Sequence, residues 1–134
     1  MDPRNKKIAQ GLAMVGAAYG LPTARRHMFL CTSNMNAQGD DNRTCCKAED
    51  GEASWQYLKR RLKELGLVEE DGTVYRTRTN CLRICGKGPI MVVYPEGTWY
   101  FGCTPEVIER ILTEHIVGGR VVSEYVFATN DLKG

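Results

Sequence analysis

The sequence predicts an α/β or α+β fold in which helices pack on one small β-sheet. The predicted elements follow the order strand, helix, strand, hairpin, helix, which is typical of such layered domains. Residues 90–94 form a continuous apolar run typical of a buried strand. Residues 52–65 carry one apolar stripe at helical spacing, which predicts a helix that packs on the sheet. The stripe consists of Trp55, Leu58, Leu62 and Leu65.

The remaining elements are predicted from β-rich runs, turn residues and capping signals. They are a first strand at 27–31, a polar loop at 32–50, a strand at 73–79, a hairpin partner at 98–101, a second helix from 104 and a final extended segment at 121–127. Thr104 is the predicted N-cap of the second helix, and Pro105 suits its first helical position. Ile108, Ile111, Leu112 and His115 are its predicted inner face.

An N-terminal extension is predicted at residues 1–26, ahead of a domain at 27–134. Residues 6–19 are expected to be helical because apolar side chains recur there at i, i+4, i+7 and i+11. These side chains are Ile8, Leu12, Val15 and Tyr19. The extension has five basic residues against one acidic residue, whereas the rest of the chain is slightly acidic. We therefore expect a helix that packs against this domain or docks on a partner.

Length and composition exclude several classes of protein. The chain has 134 residues, of which 43% are hydrophobic and 25% charged, which fits one ordered domain. A net charge of +2 argues against a dedicated nucleic-acid binder. No apolar run approaches the length of a membrane span. Residues 8–16 are too interrupted by Gln and Gly for a signal sequence, so we predict a cytoplasmic protein in a reducing compartment.

Four of the six cysteines lie at strand ends or in adjoining loops. Cys31 closes the first strand, Cys46 ends the polar loop, and Cys81 and Cys85 lie in the loop before the buried strand. If the strands are neighbours, these loops converge, and converging thiolates bind iron–sulfur clusters or zinc. Fourteen residues separate the first pair and three the second, which is a poor match to paired zinc knuckles. The spacing also differs from the bacterial and plant-type ferredoxin patterns.

Three stretches together resemble the thioredoxin-like 2Fe–2S ferredoxins, which also include small 2Fe–2S subunits of respiratory complex I and of some hydrogenases. They are the strand 27–31 with its terminal cysteine, the C-x3-C of residues 81–85, and the strand and hairpin of residues 88–100. The resemblance extends from His27 to about Phe127. It implies a thioredoxin-like sheet flanked by helices and a single 2Fe–2S cluster. It also implies one-electron transfer by a carrier that is not an enzyme.

The resemblance implies the ligand set Cys31, Cys46, Cys81 and Cys85, with one departure at the second ligand. The loop before Cys46 lacks the proline common in the family, is slightly longer, and ends in two adjacent cysteines. Cys46 is preferred because its nine-residue distance to Trp55 matches the family's offset to the first helix-core aromatic. Cys45 remains the alternative ligand.

Other residues receive secondary roles in this interpretation. The positively charged neighbours of the predicted ligands are Arg43, Lys47, Arg83 and Lys87. A cluster with four thiolates carries a charge of about −2 when oxidised, so such cations favour the reduced form and an acidic partner. Gly86 and Gly88 are expected to let the backbone turn closely around the cluster. Cys103 is expected to be a buried structural thiol, and His27 and His115 structural residues rather than Rieske ligands.

Three rival functions remain open from the sequence. The first is a fixed subunit of a larger redox enzyme, docked through the N-terminal helix. The second is a thiol–disulfide enzyme, which the absence of C-x-x-C at a helix start disfavours. The third is a structural zinc module. The expected partners are redox proteins, and the family implies a possible homodimer.

Overall fold

The computed structural model of the protein describes residues 2–32, 51–80, 82–84 and 88–130. The strands in these ranges are β1 (Arg26–Cys31), β2 (Val74–Thr79), β3 (Met91–Tyr94), β4 (Thr98–Tyr100) and β5 (Val126–Thr129). The helices are α1 (Pro3–Ala18), α2 (Gly51–Glu64) and α3 (Pro105–Arg110), and α3 continues as a π-helix over Ile111–Val117. Short 3₁₀ turns cover Leu21–Thr23 and Ser123–Tyr125.

The strands form one mixed sheet in the order β2-β1-β3-β4-β5. Strands β1 and β2 are parallel, and the other three pairs are antiparallel. Alternate side chains of the sheet, including Met28 and Leu30 of β1, enter the main core with α2 and α3. On the opposite face, the rings of His27 and Phe29 stack with centroids 4.0 Å apart. This α/β architecture confirms the fold class predicted from the order of elements.

Helix α2 forms where the apolar stripe predicts it. Trp55, Leu58 and Leu62 are buried against the sheet, and Leu65 is partly buried at the end of the stripe. Each fully buried leucine contributes about 1.5–3 kcal/mol to folding by removal from water. On the flank of the stripe, Arg61 donates to Glu109 of α3 at 2.8 Å and fastens the two helices together.

The second predicted helix is also confirmed, with the cap that the sequence indicates. The Thr104 hydroxyl accepts a hydrogen bond from the Val107 N–H at 3.4 Å, and Pro105 opens the helix. The predicted inner face is buried. The helix changes from α to π geometry after Arg110, which the sequence pattern does not indicate.

The prediction of a final extended segment at residues 121–127 was partly wrong. A 3₁₀ turn covers Ser123–Tyr125, and β5 begins only at Val126. The reason is tertiary: the Val122 N–H donates to the buried Tyr100 hydroxyl, and the Tyr125 N–H closes a turn onto the Val122 carbonyl. These bonds hold the chain out of a strand until it pairs with β4.

Helix α1 forms as predicted. Of the two expectations for its apolar stripe, packing against this domain is not seen among the described residues. Its N-cap is Asp2, which accepts from the Arg4 N–H at 2.8 Å. No residue of α1 is buried by the part of the chain that the structure describes. The side chains of the apolar stripe are all more than half exposed, with Leu12 at 65%. The apolar stripe therefore faces outward.

Strand β1 begins at Arg26, the last residue of the predicted N-terminal extension. The division of the chain into an extension at 1–26 and a domain at 27–134 stays a prediction. The polar loop predicted at 32–50 lies almost entirely outside the described residues. Over the described ranges, none of the helices has both the length and the hydropathy that a membrane span needs.

A buried polar network ties the β3–β4 turn to the π-helix. His115 is almost completely buried, with Nδ1 2.7 Å from the Tyr100 hydroxyl and Nε2 2.6 Å from Glu96 Oε2. Arg26 also donates to Glu96, at 2.9 Å. Burial raises the pKa of Glu96, but hydrogen bonds from Arg26 and His115 outweigh it and leave that pKa lowered. Glu96 is therefore a carboxylate that accepts from both partners.

The directions of these hydrogen bonds follow from the available protons. Glu96 accepts, so Nε2 of His115 carries a proton. Burial raises the pKa of Tyr100 to about 12, so its hydroxyl keeps a proton to donate. Tyr100 already accepts from the Val122 N–H, and it donates to Nδ1 of His115. With a proton on Nε2 and Nδ1 as acceptor, His115 makes both of its hydrogen bonds in the network.

Candidate metal centre

Cys31 is the one predicted ligand whose surroundings the structure describes. It ends β1 and is only 4% exposed. Its N–H donates to the Ile90 carbonyl at 2.9 Å, and its Sγ lies 3.7 Å from the Asn80 carbonyl oxygen. The thiol therefore lies between the residue that precedes Cys81 and the residue that leads into β3.

The topology of the sheet explains this position. Because β1 and β2 run parallel, their carboxyl ends meet at the same edge, and Cys31 is in register with Thr79. Strand β3 is antiparallel to β1 and starts at that edge. The chain therefore leaves the sheet after Thr79 and returns at Ile90, on either side of Cys31. The described ends of the loop that bears Cys81 and Cys85 thus flank Cys31, and the predicted convergence with the loop that bears Cys46 stays a prediction.

An apolar wall shields one side of this edge. Cys31 packs with the buried Ile90 and with the partly buried Leu82, Trp99 and Phe101. Ile84, in contrast, is 45% exposed between the two cysteines of the C-x3-C. Cys31 thus has apolar residues on one side, and the low local dielectric constant there strengthens the effect of nearby charges on a metal centre that Cys31 would hold.

Several predicted site residues lie outside the described ranges. They are Arg43, Cys45, Cys46, Lys47, Cys81, Cys85, Gly86 and Lys87. Of the predicted neighbours that are described, Arg83 is exposed and has a positive φ of 67°. Gly88 is buried and begins the segment that returns to Ile90. The four-cysteine ligand set stays a prediction, which the position of Cys31 supports.

Arg78 is a neighbour of the centre that the sequence analysis missed. Its Nε donates to the Thr32 hydroxyl at 2.8 Å, and its Nη2 pairs with Glu52 of α2. The guanidinium also lies over the Trp55 ring, 6.0 Å from the centroid. In the sequence, Arg78 has the character of an ordinary exposed strand residue. Its position three residues before Cys81 was the only indication that it lies near the candidate metal centre.

Cys103 has the surroundings of a structural thiol. It is fully buried in the main core, its N–H donates to the Pro89 carbonyl, and its carbonyl accepts from Ser54. Burial raises the pKa of the Cys103 thiol far above its usual range. The thiol therefore stays protonated and unreactive, in contrast to a metal ligand.

Comparison with known proteins identifies the family. The chain is 36% identical over 101 residues to a 2Fe–2S ferredoxin of Clostridium pasteurianum, covering 73% of this chain and 91% of that protein. The chain belongs to the thioredoxin-like 2Fe–2S ferredoxins. A 2Fe–2S ferredoxin of Aquifex aeolicus is 28% identical over 107 residues, covering 77% of this chain and 89% of its own length. No protein-family model matches the chain.

The structural comparison agrees with this family of ferredoxins. A thioredoxin-like [2Fe-2S] ferredoxin from Aquifex aeolicus superposes with a TM-score of 0.67 at 26% identity. The superposition covers 83% of this chain and 97% of the other. The thioredoxin-like fold predicted from the resemblance is thus confirmed. A buried cysteine thiol between Asn80 and Ile90, the described ends of the C-x3-C loop, fits a thiolate ligand of an iron–sulfur cluster.

Proposed function

We propose that this chain is a one-electron carrier that holds a single 2Fe–2S cluster through Cys31, Cys46, Cys81 and Cys85. The observation that carries the proposal is the position of Cys31, between the end of the strand leading to Cys81 and the start of β3. Membership of the thioredoxin-like 2Fe–2S ferredoxins supports the nature of the cofactor. When bound, such a cluster supplies reversible one-electron chemistry.

The chain's own residues would fix the cluster site and control its access to water. The Cys31 N–H is already bonded to Ile90, which holds the ligand's backbone in place. Ile90 and its apolar neighbours keep water from one side of Cys31, while Ile84 gives a surface on which a partner can approach. A carrier needs only such a holding and docking site, so we assign no reaction on a substrate.

Charge around the site is proposed to favour both reduction and an acidic partner. Arg83 is exposed next to a predicted ligand, and Arg43, Lys47 and Lys87 adjoin the others in sequence. Cations near an anionic cluster stabilise its reduced form. Cations at the rim of a contact surface also speed encounter with a partner of opposite charge. We place this carrier in the cytoplasm.

The proposal predicts the visible absorption of anaerobically purified protein. We expect a red-brown protein with about two irons and two acid-labile sulfides per chain, whose colour is bleached by dithionite. The measurement combines the absorption spectrum with iron and sulfide analysis. A colourless protein with stoichiometric zinc, or a metal-free protein with titratable disulfides, would contradict the proposal.

Helix α1 is proposed as a docking helix for a redox partner, or for a second copy of the chain if the carrier is a homodimer. Its exposed apolar side chains, such as Leu12 and Val15, are unusual for a surface helix that buries no residue against the described part of the chain. Its first turns carry Arg4, Lys6 and Lys7, and the helix has no acidic residue. This charge favours a partner with an acidic surface.

Deleting residues 1–24 is expected to abolish a stable complex with that partner and to leave the cluster unchanged. The physical reason is that α1 holds apolar surface outside the core, whereas Cys31 lies at the far side of β1 from the deletion. Co-purification and sedimentation velocity measure the complex, and the absorption spectrum measures the cluster. A truncated chain that keeps the same partners and the same oligomeric state as the full chain would contradict the role of α1.

A further inference from the structure

Arg78 joins two parts of the molecule at the candidate metal centre. Its Nε donates to the Thr32 hydroxyl at 2.8 Å, and its Nη2 is paired with Glu52 in the first turn of α2. Its guanidinium lies over the ring of Trp55. We infer that Arg78 is a positioning residue for Cys31, holding the neighbouring Thr32 and balancing the charge of Glu52 at the start of α2. This inference rests on the proposed function.

The link from Arg78 to Cys31 is short and stiff. Arg78 is in register with Leu30 on the adjacent strand, and Thr32 directly follows Cys31. The Thr32 N–H donates to the Thr79 carbonyl at 3.1 Å, so its backbone is fixed and only its side chain needs orienting. A β-branched side chain has few rotamers, and a guanidinium presents its donors in a fixed plane. The Arg78 hydrogen bond therefore orients the Thr32 side chain and adds a second link from β2 to the residue immediately after Cys31.

The same guanidinium sets the charge near the ligand. Hydrogen bonds from Gln56 and then Arg78 lower the pKa of Glu52, so Glu52 is a carboxylate at neutral pH. With Arg78 present, the pair is close to neutral as a unit. Without Arg78, which links Glu52 to the residue after Cys31, the Glu52 carboxylate loses its paired cation, and its charge opposes the extra negative charge of a reduced cluster. Without Glu52, the charge of Arg78 favours reduction.

The test is the midpoint reduction potential of the loaded protein, with the EPR spectrum of its reduced state. For Arg78→Gln we expect the equilibrium constant for reduction to fall by up to about tenfold, which is 59 mV for a one-electron couple. For Glu52→Gln we expect a shift of the opposite sign. Arg110→Gln is the matched control, because Arg110 is also 42% exposed and also pairs with glutamates, on α3. It should leave the potential unchanged.

Two further variants separate position from charge. Arg78→Lys keeps the charge but loses the planar fork, and Thr32→Val keeps the shape but loses the hydroxyl. For both, we expect faster loss of visible absorbance in the presence of a chelator and a changed EPR line shape, with a smaller potential shift than in Arg78→Gln. Apo-protein unfolding, measured alongside, should differ little among Arg78→Lys, Thr32→Val and Arg110→Gln.

The outcomes distinguish this inference from the function on which it rests. If wild-type protein holds no 2Fe–2S cluster, the proposed function fails and the inference fails with it. If wild-type protein holds the cluster, but Arg78→Gln and Glu52→Gln match Arg110→Gln in potential, EPR spectrum and cluster loss, only the role of Arg78 is overturned. Should Arg78→Gln not fold, the opposite shift in Glu52→Gln and the faster loss in Thr32→Val decide the matter.

Discussion

Replacing Cys31 with alanine is expected to lower the iron content from about two atoms per chain to almost none. Alanine offers no donor atom, and Cys31 is buried between the two ends of the loop that bears Cys81 and Cys85. Loss of one of four thiolates leaves an iron without a full tetrahedral shell, so the native absorption should disappear. Iron and sulfide analysis with the visible spectrum is the measurement.

Cys103→Ala is the matched control for this prediction. It makes the same change at another buried cysteine, whose thiol lies in the main core, and it should leave the iron content unchanged. The same assay on Cys45→Ala and Cys46→Ala assigns the second ligand, and we expect loss of iron only in Cys46→Ala. A Cys31→Ala protein that keeps two irons and the native spectrum would remove Cys31 from the ligand set.

Replacing Tyr100 with phenylalanine is expected to give the second largest effect, on stability. The hydroxyl of Tyr100 donates to His115 and accepts from the Val122 N–H, and both partners are buried. Phenylalanine fills the space but leaves both polar atoms without a partner, at a cost of about 1–3 kcal/mol for each atom. Urea unfolding, followed by circular dichroism, should show a lower free energy of unfolding.

Tyr19→Phe removes the same hydroxyl from an exposed residue at the end of α1 and serves as the control. Its free energy of unfolding should stay within about 0.5 kcal/mol of the wild-type value, as for most surface changes. Equal stability of Tyr100→Phe and Tyr19→Phe would mean that water satisfies His115 and Val122 in the variant, and that the network contributes little.

Local patterns were sufficient for most of the secondary structure. The stripe of α2, the Thr104 cap and the apolar run of β3 each rest on spacing or propensity within a few residues, which the sequence states directly. The site was predictable in part for the same reason. Cys31 closes a strand, and the motifs around it identify the family whose fold brings the loops together.

Long-range contacts account for what the sequence left out. The late start of β5 depends on the bond between the Val122 N–H and Tyr100, which are 22 residues apart. Arg78 bonds to Thr32, 46 residues away in the sequence, and to Glu52, 26 residues away. The periodicity of a sequence does not indicate such long-range contacts. The outward apolar face of α1 has the spacing of a packed helix, so sequence alone could not tell a core contact from an exposed surface.

The sequence by itself determined most of the elements, the cysteine pattern and the family, because these depend on residue type and spacing. Only the tertiary structure decided which of the described side chains surround Cys31, since pairing of β1 with β2 and β3 brings together residues distant in the chain. It likewise decided that His115 serves a buried network and that Arg78 reaches the ligand strand. These hydrogen bonds require their donor and acceptor atoms to be close in space, and that happens only once the sheet has formed.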